Sequence, residues 1–316
     1  MTKVRIYVPT YRHESTFDSV LTSYLNQSHQ DLEIHVYDNS AADSYFEIRA
    51  LIENKADSRI IYHQNRTQIG ALNNYHRMLN DANTDGLLLF LASDQGLASN
   101  AISEMLEVKK DSKSDIVYSG YRNFDISSLN PKSIFAFEEL SYEIEMLGYK
   151  SSQQFSSHEL LKNFYNSNNI IGEYYGFSFF GSLFEGSLIE NLPVTFRRFK
   201  QHGYEHYLSM YLLLNSSTVF FLAEDLMLNT FGRERIGGTE RVTSDLGRIE
   251  CIAAAQNILD EFDFLMEGLG LNLINFRKSQ VDKCLYFKEN YKGFEGYLEE
   301  ILIKNRIHLN AEPHIS

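Results

Sequence analysis

The run Leu87 to Leu91 (LLLFL) ends abruptly in Ala-Ser-Asp-Gln, and this junction constrains the fold more than any other stretch. Consecutive apolar residues followed at once by a carboxylate describe a central strand that delivers one charge to its C-terminal edge. A second edge of the same kind occurs where Glu33 to Tyr37 (EIHVY) runs into Asp38-Asn39-Ser40. Ligands of open α/β sheets bind at that edge. Two strands that each end in an aspartate therefore point to a site for a polar, phosphorylated ligand.

The chain around these two strands repeats one unit. Val4 to Val8 reads as a strand stopped by Pro9, and Ser15 or Thr16 can cap a helix that runs to Leu25. Tyr45 to Asn54 is helical in pattern, Arg59 to His63 is a strand, Asn73 to Ala82 is helical, and Ala98 to Lys109 is helical before strand Ile116 to Ser119. Strand and helix alternating in units of about 30 residues mean a parallel sheet with crossovers. The middle is less regular. Asn123 to Tyr149 reads as a hairpin or long loop, Ser156-Ser157 can cap a helix over Glu159 to Tyr165, and the aromatic, glycine-spaced Gly172 to Gly186 suits a strand lining a cleft. Tyr204 to Leu214 is an apolar helix and Thr218 to Ala223 a last strand. From Ser244 the pattern is helical, with later segments Val281 to Tyr291 and Tyr297 to Ile307. The expected division is a sheet domain over 1–240, with a nucleotide-binding half over 1–120, and a helical C-terminal appendage over 241–316.

Composition narrows the partners. With 42 acidic against 29 basic residues the net charge is −13, which argues against a nucleic-acid partner, because such binders carry a basic stripe. A nucleotide ligand stays open, since a few arginines and backbone N–H groups suffice to hold a diphosphate. The 20 Tyr and 22 Phe are mostly core, with some available to a sugar. Cys251 and Cys284 are too isolated for a disulfide framework or a metal knuckle. MTKVRIYVPTYRHE has no signal-peptide core, and no apolar run reaches the roughly 20 residues of a membrane span. The expected location is cytoplasmic, with peripheral contact at the inner membrane face left open.

Three motifs then carry a resemblance. Pro9-Thr10-Tyr11-Arg12 with its following helix and Gln27, the stretch Glu33 to Ser40, and Gly70 to Gln95 with Asn74, Tyr75, Arg77, Ser93 and Asp94 stand in that order over the first 110 residues. Together the three resemble the family-2 glycosyltransferases of GT-A fold, a Rossmann-like, mostly parallel central sheet flanked by helices. The resemblance implies a donor site for a nucleotide sugar, a UDP-sugar first among them. Thr10 and Tyr11 would flank the base, Asp38 would hydrogen-bond base or ribose, and Pro9, Asn74 and Ser93 would belong to the same site. Asp94 and Gln95 would stand in the family's D-x-D-like element, where Asp94 holds ribose and a divalent metal, Mn²⁺ or Mg²⁺, on the diphosphate. A departure falls at Gln95, where the family has its last metal-coordinating aspartate. It leaves open weaker metal binding, a metal-independent enzyme, or a site that binds without turnover. For Asp94 by itself, the plain alternative is a cap for the helix from Ala98.

An inverting transferase also needs a base for the acceptor hydroxyl. The family's acidic pair opening a later helix is matched by Glu205-His206, with Glu205 the first choice and His206 the second. Downstream, Arg233 and Arg235 lie in a segment with a Gly pair that suits either a loop closing over a diphosphate, with one of the two touching it, or a plain solvated loop. His13, His63 and His76 have no metal-ligand spacing. The resemblance thus implies sugar transfer from a nucleotide donor to a saccharide or lipid-linked glycan, in glycan or polysaccharide synthesis. The alternative is a nucleotide-sugar-binding protein with weakened catalysis. A nucleotidyltransferase would need a glycine- and lysine-rich loop after the first strand, and a dinucleotide oxidoreductase a G-x-G-x-x-G; both are missing.

Overall fold

The structure is a computed structural model that describes residues 2–11, 14–40, 45–125, 151–166, 178–192, 204–231, 252, 254–262, 268–269, 273–290 and 295–311. The sheet starts with β1 (Val4–Thr10), β2 (Leu32–Asp38), β3 (Ile60–Gln64) and β4 (Leu87–Phe90). All three of their pairings are parallel, in the order β3-β2-β1-β4. Parallel neighbours need crossovers, supplied by α1 (Glu14–Leu25), α2 (Tyr45–Lys55) and α3 (Ala71–Asp81). Every side chain of β4 is buried, as the unbroken apolar run requires. Helix α1 covers one face with Phe17, Val20, Leu21 and Tyr24, all fully buried and spaced as one helical stripe.

Elsewhere the sheet is mixed. β5 (Gln95–Leu97), α4 (Ala101–Ser112), β6 (Ile116–Asp125), β7 (Gln153–Ser156), α5 (Ser157–Asn166), β8 (Ser182–Glu185), α6 (Tyr204–Leu214) and β9 (Thr218–Phe231) complete the described part of the sheet domain. β8 joins β4 and β6 antiparallel, β6 and β9 run parallel, and β5 and β7 pair with β9 antiparallel. Three-residue β5 and four-residue β7 are too short to leave a pattern in sequence, while β6 and β9 run well past their expected ends at Ser119 and Ala223. Helix α4 starts at Ala101 behind Asn100, with β5 before it. The helix-cap alternative for Asp94 is thereby corrected: a strand, not a helix, follows that residue. Segment 126–150, where a hairpin or loop is expected, lies outside the described residues.

A file of rings crosses the sheet's other face. Tyr7 stacks on Phe90 at 5.0 Å and on His35 at 4.7 Å, and Tyr37 stacks on His63 at 4.2 Å. His35 Nδ1 and His63 Nε2 share a 3.1 Å hydrogen bond. Burial, then the neighbouring His63, lowers the His35 pKa to about 4. Both rings belong to the packing.

Beyond the sheet, residues 254–262, Leu273–Asn290 and Glu295–Ala311 are helical, as the pattern from Ser244 leads one to expect. Ile258 and Leu259 join the main core, whereas Cys284, Phe287, Leu298 and Ile301 form part of a smaller cluster. Burial raises the Cys284 thiol to about 12, so it stays protonated. No helix among the described residues is long and apolar enough to cross a membrane.

Candidate active site

Because β1 lies between β2 and β4 with all three parallel, their C-terminal ends open on one edge. Thr10 sits directly opposite Asp38 in the register. Both are buried, at 2% and 1% exposure, as are Ser93 and Asp94 beyond β4 at 6% and 7%. Buried polar groups must be paired or face a ligand.

Asp38 is held on both oxygens. Its Oδ1 accepts the Ser40 N–H at 2.8 Å and its Oδ2 accepts the Tyr62 hydroxyl at 2.7 Å. Next to it, Asn39 Oδ1 accepts the Ile69 N–H at 2.9 Å and the Asn65 amide at 3.2 Å. Asn65 also donates to Asn74 Oδ1 at 2.8 Å, and Asn74 donates to the Tyr37 carbonyl at 2.9 Å. Arg77 completes this net, donating to Asn65 Oδ1 at 2.6 Å and to the Gln64 carbonyl at 3.0 Å. Asn74 and Arg77 therefore lock α3 and the loop after β3 to the end of β2. The Thr10 hydroxyl is buried without a hydrogen-bond partner among the described residues. Tyr11, half-buried, accepts from the Gln68 amide at 3.1 Å. Pro9 lies within β1, one residue inside the edge.

The turn after β4 is fastened from α1. Tyr24 donates its hydroxyl to the Gln95 carbonyl at 2.5 Å, and Ser23 Oγ accepts the Leu97 N–H at 3.0 Å. Gln27, buried just beyond the same helix, donates to the Ala98 carbonyl at 2.6 Å and accepts the Ile102 N–H at 3.1 Å. Gln95 itself folds back, with its Oε1 accepting the Ala92 N–H at 2.8 Å and its N–H donating to the Ala92 carbonyl at 3.0 Å. These bonds fix where Asp94 stands. Burial, and then the Asp94 charge, raises the Tyr24 phenol well above its ordinary value, so Tyr24 remains a donor.

The same geometry tests the metal that the family resemblance implies. A hard divalent cation wants several oxygen ligands. The Gln95 side-chain oxygen is engaged inside its own turn, and among the described residues no group of three His, Cys, Asp or Glu could hold a metal. The described residues therefore do not build a cation cage of their own.

Glu205 and His206 part company in the structure. Glu205 lies exposed in the first turn of α6, where the Tyr204 hydroxyl approaches its Oε1 at 3.5 Å. His206 is buried at 6% exposure, and burial lowers its pKa to about 4. A neutral histidine enclosed in the core is poorly placed to take a substrate proton. Glu205 is the more accessible of the two. Arg233 and Arg235 lie outside the described residues. Tyr62, Asn39 and Asn65 are not singled out by sequence because their partners come from neighbouring strands and loops; the only signal is a run of polar residues directly after β3.

Comparisons with known proteins agree with this architecture. Over 111 residues the chain is 31% identical to the abequosyltransferase RfbV of Salmonella typhimurium, a match spanning 34% of this chain and 33% of that protein's length. The structure of S. aureus TarS 1–349 in complex with UDP-GlcNAc aligns over 96% of this chain and 89% of its own, at 15% identity and a TM-score of 0.55. The Pyrobaculum calidifontis mannosyltransferase PcManGT, in complex with GDP-Man and Mn²⁺, aligns over 98% of this chain and 87% of its own, at 12% identity and a TM-score of 0.51. The glycosyl transferase family 2 model matches residues 5–179, more than half of the chain. With its sheet edge, its two aspartates and this match, the chain belongs to glycosyl transferase family 2 and has the GT-A fold.

Proposed function

We propose that this chain transfers a sugar from a nucleotide-sugar donor to a hydroxyl of a saccharide or lipid-linked glycan, with inversion at the anomeric carbon. The observation that carries this is the pair of buried carboxylates, Asp38 and Asp94, at the ends of the strands on either side of β1. Asp38, accepting from Ser40 and Tyr62, is an acceptor-only group. It suits a base with a ring N–H, such as uracil or guanine, and the TarS and PcManGT complexes contain UDP-GlcNAc and GDP-Man. A UDP-sugar remains the first choice. Thr10 and Tyr11 flank the base, and Asp94 stands toward ribose and diphosphate.

In the reaction the acceptor oxygen attacks the anomeric carbon while the bond to the diphosphate oxygen breaks. Glu205 takes the hydroxyl proton. Positioning and proton removal are the parts that this chain's described residues supply, and Arg233 and Arg235 are proposed to meet the diphosphate. Glu205→Gln is expected to lower kcat by on the order of 100-fold with little change in donor KM. The check is steady-state release of nucleoside diphosphate from UDP-N-acetylglucosamine, UDP-glucose and GDP-mannose, with and without added saccharide acceptors. Release with none of the three, alongside retained nucleotide binding, would favour the weakened-binder alternative.

A further inference from the structure

Glu205 is exposed in the first turn of α6, and the orientation of an exposed carboxylate depends on the groups beside it. A proton acceptor needs a single orientation. We propose that Tyr204 is a positioning residue that holds the Glu205 carboxylate for proton removal, and that Tyr75 of the donor-side helix α3 holds Tyr204. This rests on the reading of Glu205 as the base.

The physical chain runs from the sheet edge to the carboxylate. The Gly181 N–H donates to the Phe90 carbonyl at the end of β4 at 2.8 Å, which fixes the neighbouring Phe180, itself buried. Tyr75 packs edge-on against Phe180 at 5.5 Å between ring centroids. The Tyr204 ring lies 4.5 Å from that of Tyr75, and its hydroxyl approaches Glu205 Oε1 at 3.5 Å. Tyr75 cannot drift, because the preceding residue, Asn74, is bonded to the Tyr37 carbonyl and to Asn65. The strand that leads to Asp94 and the side chain that faces the acceptor are thus joined by three packed rings. The groups acting on the Tyr204 hydroxyl are Tyr75 from α3 and Glu205 from α6, and burial is the larger influence, raising the phenol well above its ordinary value. Tyr204 therefore stays protonated and can donate to a carboxylate across the neutral pH range. A donor of this kind favours the ionised carboxylate.

The test uses the full chain labelled with carboxyl-¹³C glutamate, the Glu205 resonance being the one absent from Glu205→Gln. In Tyr204→Phe, which keeps the ring, the Glu205 titration midpoint is expected to move up by ~0.5 pH units. Tyr75→Leu, which removes the wall behind Tyr204, should move it the same way. An unchanged midpoint in both variants overturns the proposal. Hydrolysis of UDP-N-acetylglucosamine supplies the second readout: Tyr204→Phe should lower kcat, leave donor KM unchanged and shift the acid limb of the pH–rate profile upward. Should Glu205→Gln retain full hydrolysis while the midpoint still moves in Tyr204→Phe, the base assignment fails and the positioning contact survives. Loss of hydrolysis in Glu205→Gln with wild-type behaviour in Tyr204→Phe keeps Glu205 as the base and overturns the positioning role of Tyr204.

Discussion

Asp38 is the residue on which the proposed donor site turns. Its carboxylate is 1% exposed and satisfied by one backbone N–H and one phenol. Tyr62→Phe removes a charge-assisted bond and leaves the ring in place, so donor affinity should fall about 5- to 20-fold, as calorimetric titration with UDP would register. Unchanged affinity would place the base elsewhere. His206 makes a different statement. Its folded pKa of about 4 lies below the ordinary 6.5, so the unfolded chain takes up the proton first as pH falls. The stability this histidine contributes is complete above about 6.5 and is lost as pH drops toward about 4, by roughly 3 kcal/mol. Urea unfolding at pH 7 and pH 4.5 should show most of that loss, and His206→Leu should flatten it. Asp38 is singled out in sequence by its place at the end of an apolar strand. The Tyr62 contact is not, because strand register decides which residue of β3 faces it.

At the scale of elements, the turn between β4 and β5 is the informative one. In sequence, Gln95 looks like the loss of a metal ligand. In the structure its amide closes the turn onto Ala92, while Tyr24 pins the same turn from α1. Gln95→Ala should therefore cost about 1–2 kcal/mol and lower the thermal midpoint measurably. Gln95→Asp trades that bond for a second carboxylate beside Asp94, and Mn²⁺ should then stabilise the variant more than the wild type in thermal denaturation. Equal response of the two would mean that the residue at 95 does not govern metal binding. Apart from β5, the strands and helices up to Ile116 are legible in sequence, the helices by their 3.6-residue period and β4 by its unbroken apolar run. β5 and β7 are not, since both exist only through pairing with β9, which is a tertiary fact. Helix α6 is legible from end to end, but which of its first three residues faces solvent depends on how it packs.

Over the whole molecule, the sheet order brings the ends of β1, β2 and β4 to one edge and the rings of Phe180, Tyr75 and Tyr204 carry that edge across to α6. The end of β4 and the first turn of α6 are thereby parts of one packed unit. On the proposed reading, this edge binds the nucleotide of a sugar donor. Thermal denaturation with UDP-, GDP-, CMP- and dTDP-sugars, each with Mn²⁺, Mg²⁺ or EDTA, tests it most directly, with Asp38→Ala run beside the wild type. The expected result is a rise in midpoint with one nucleotide class, UDP first, that persists in EDTA and disappears in Asp38→Ala. No rise with any donor, or an equal rise in Asp38→Ala, would contradict the claim.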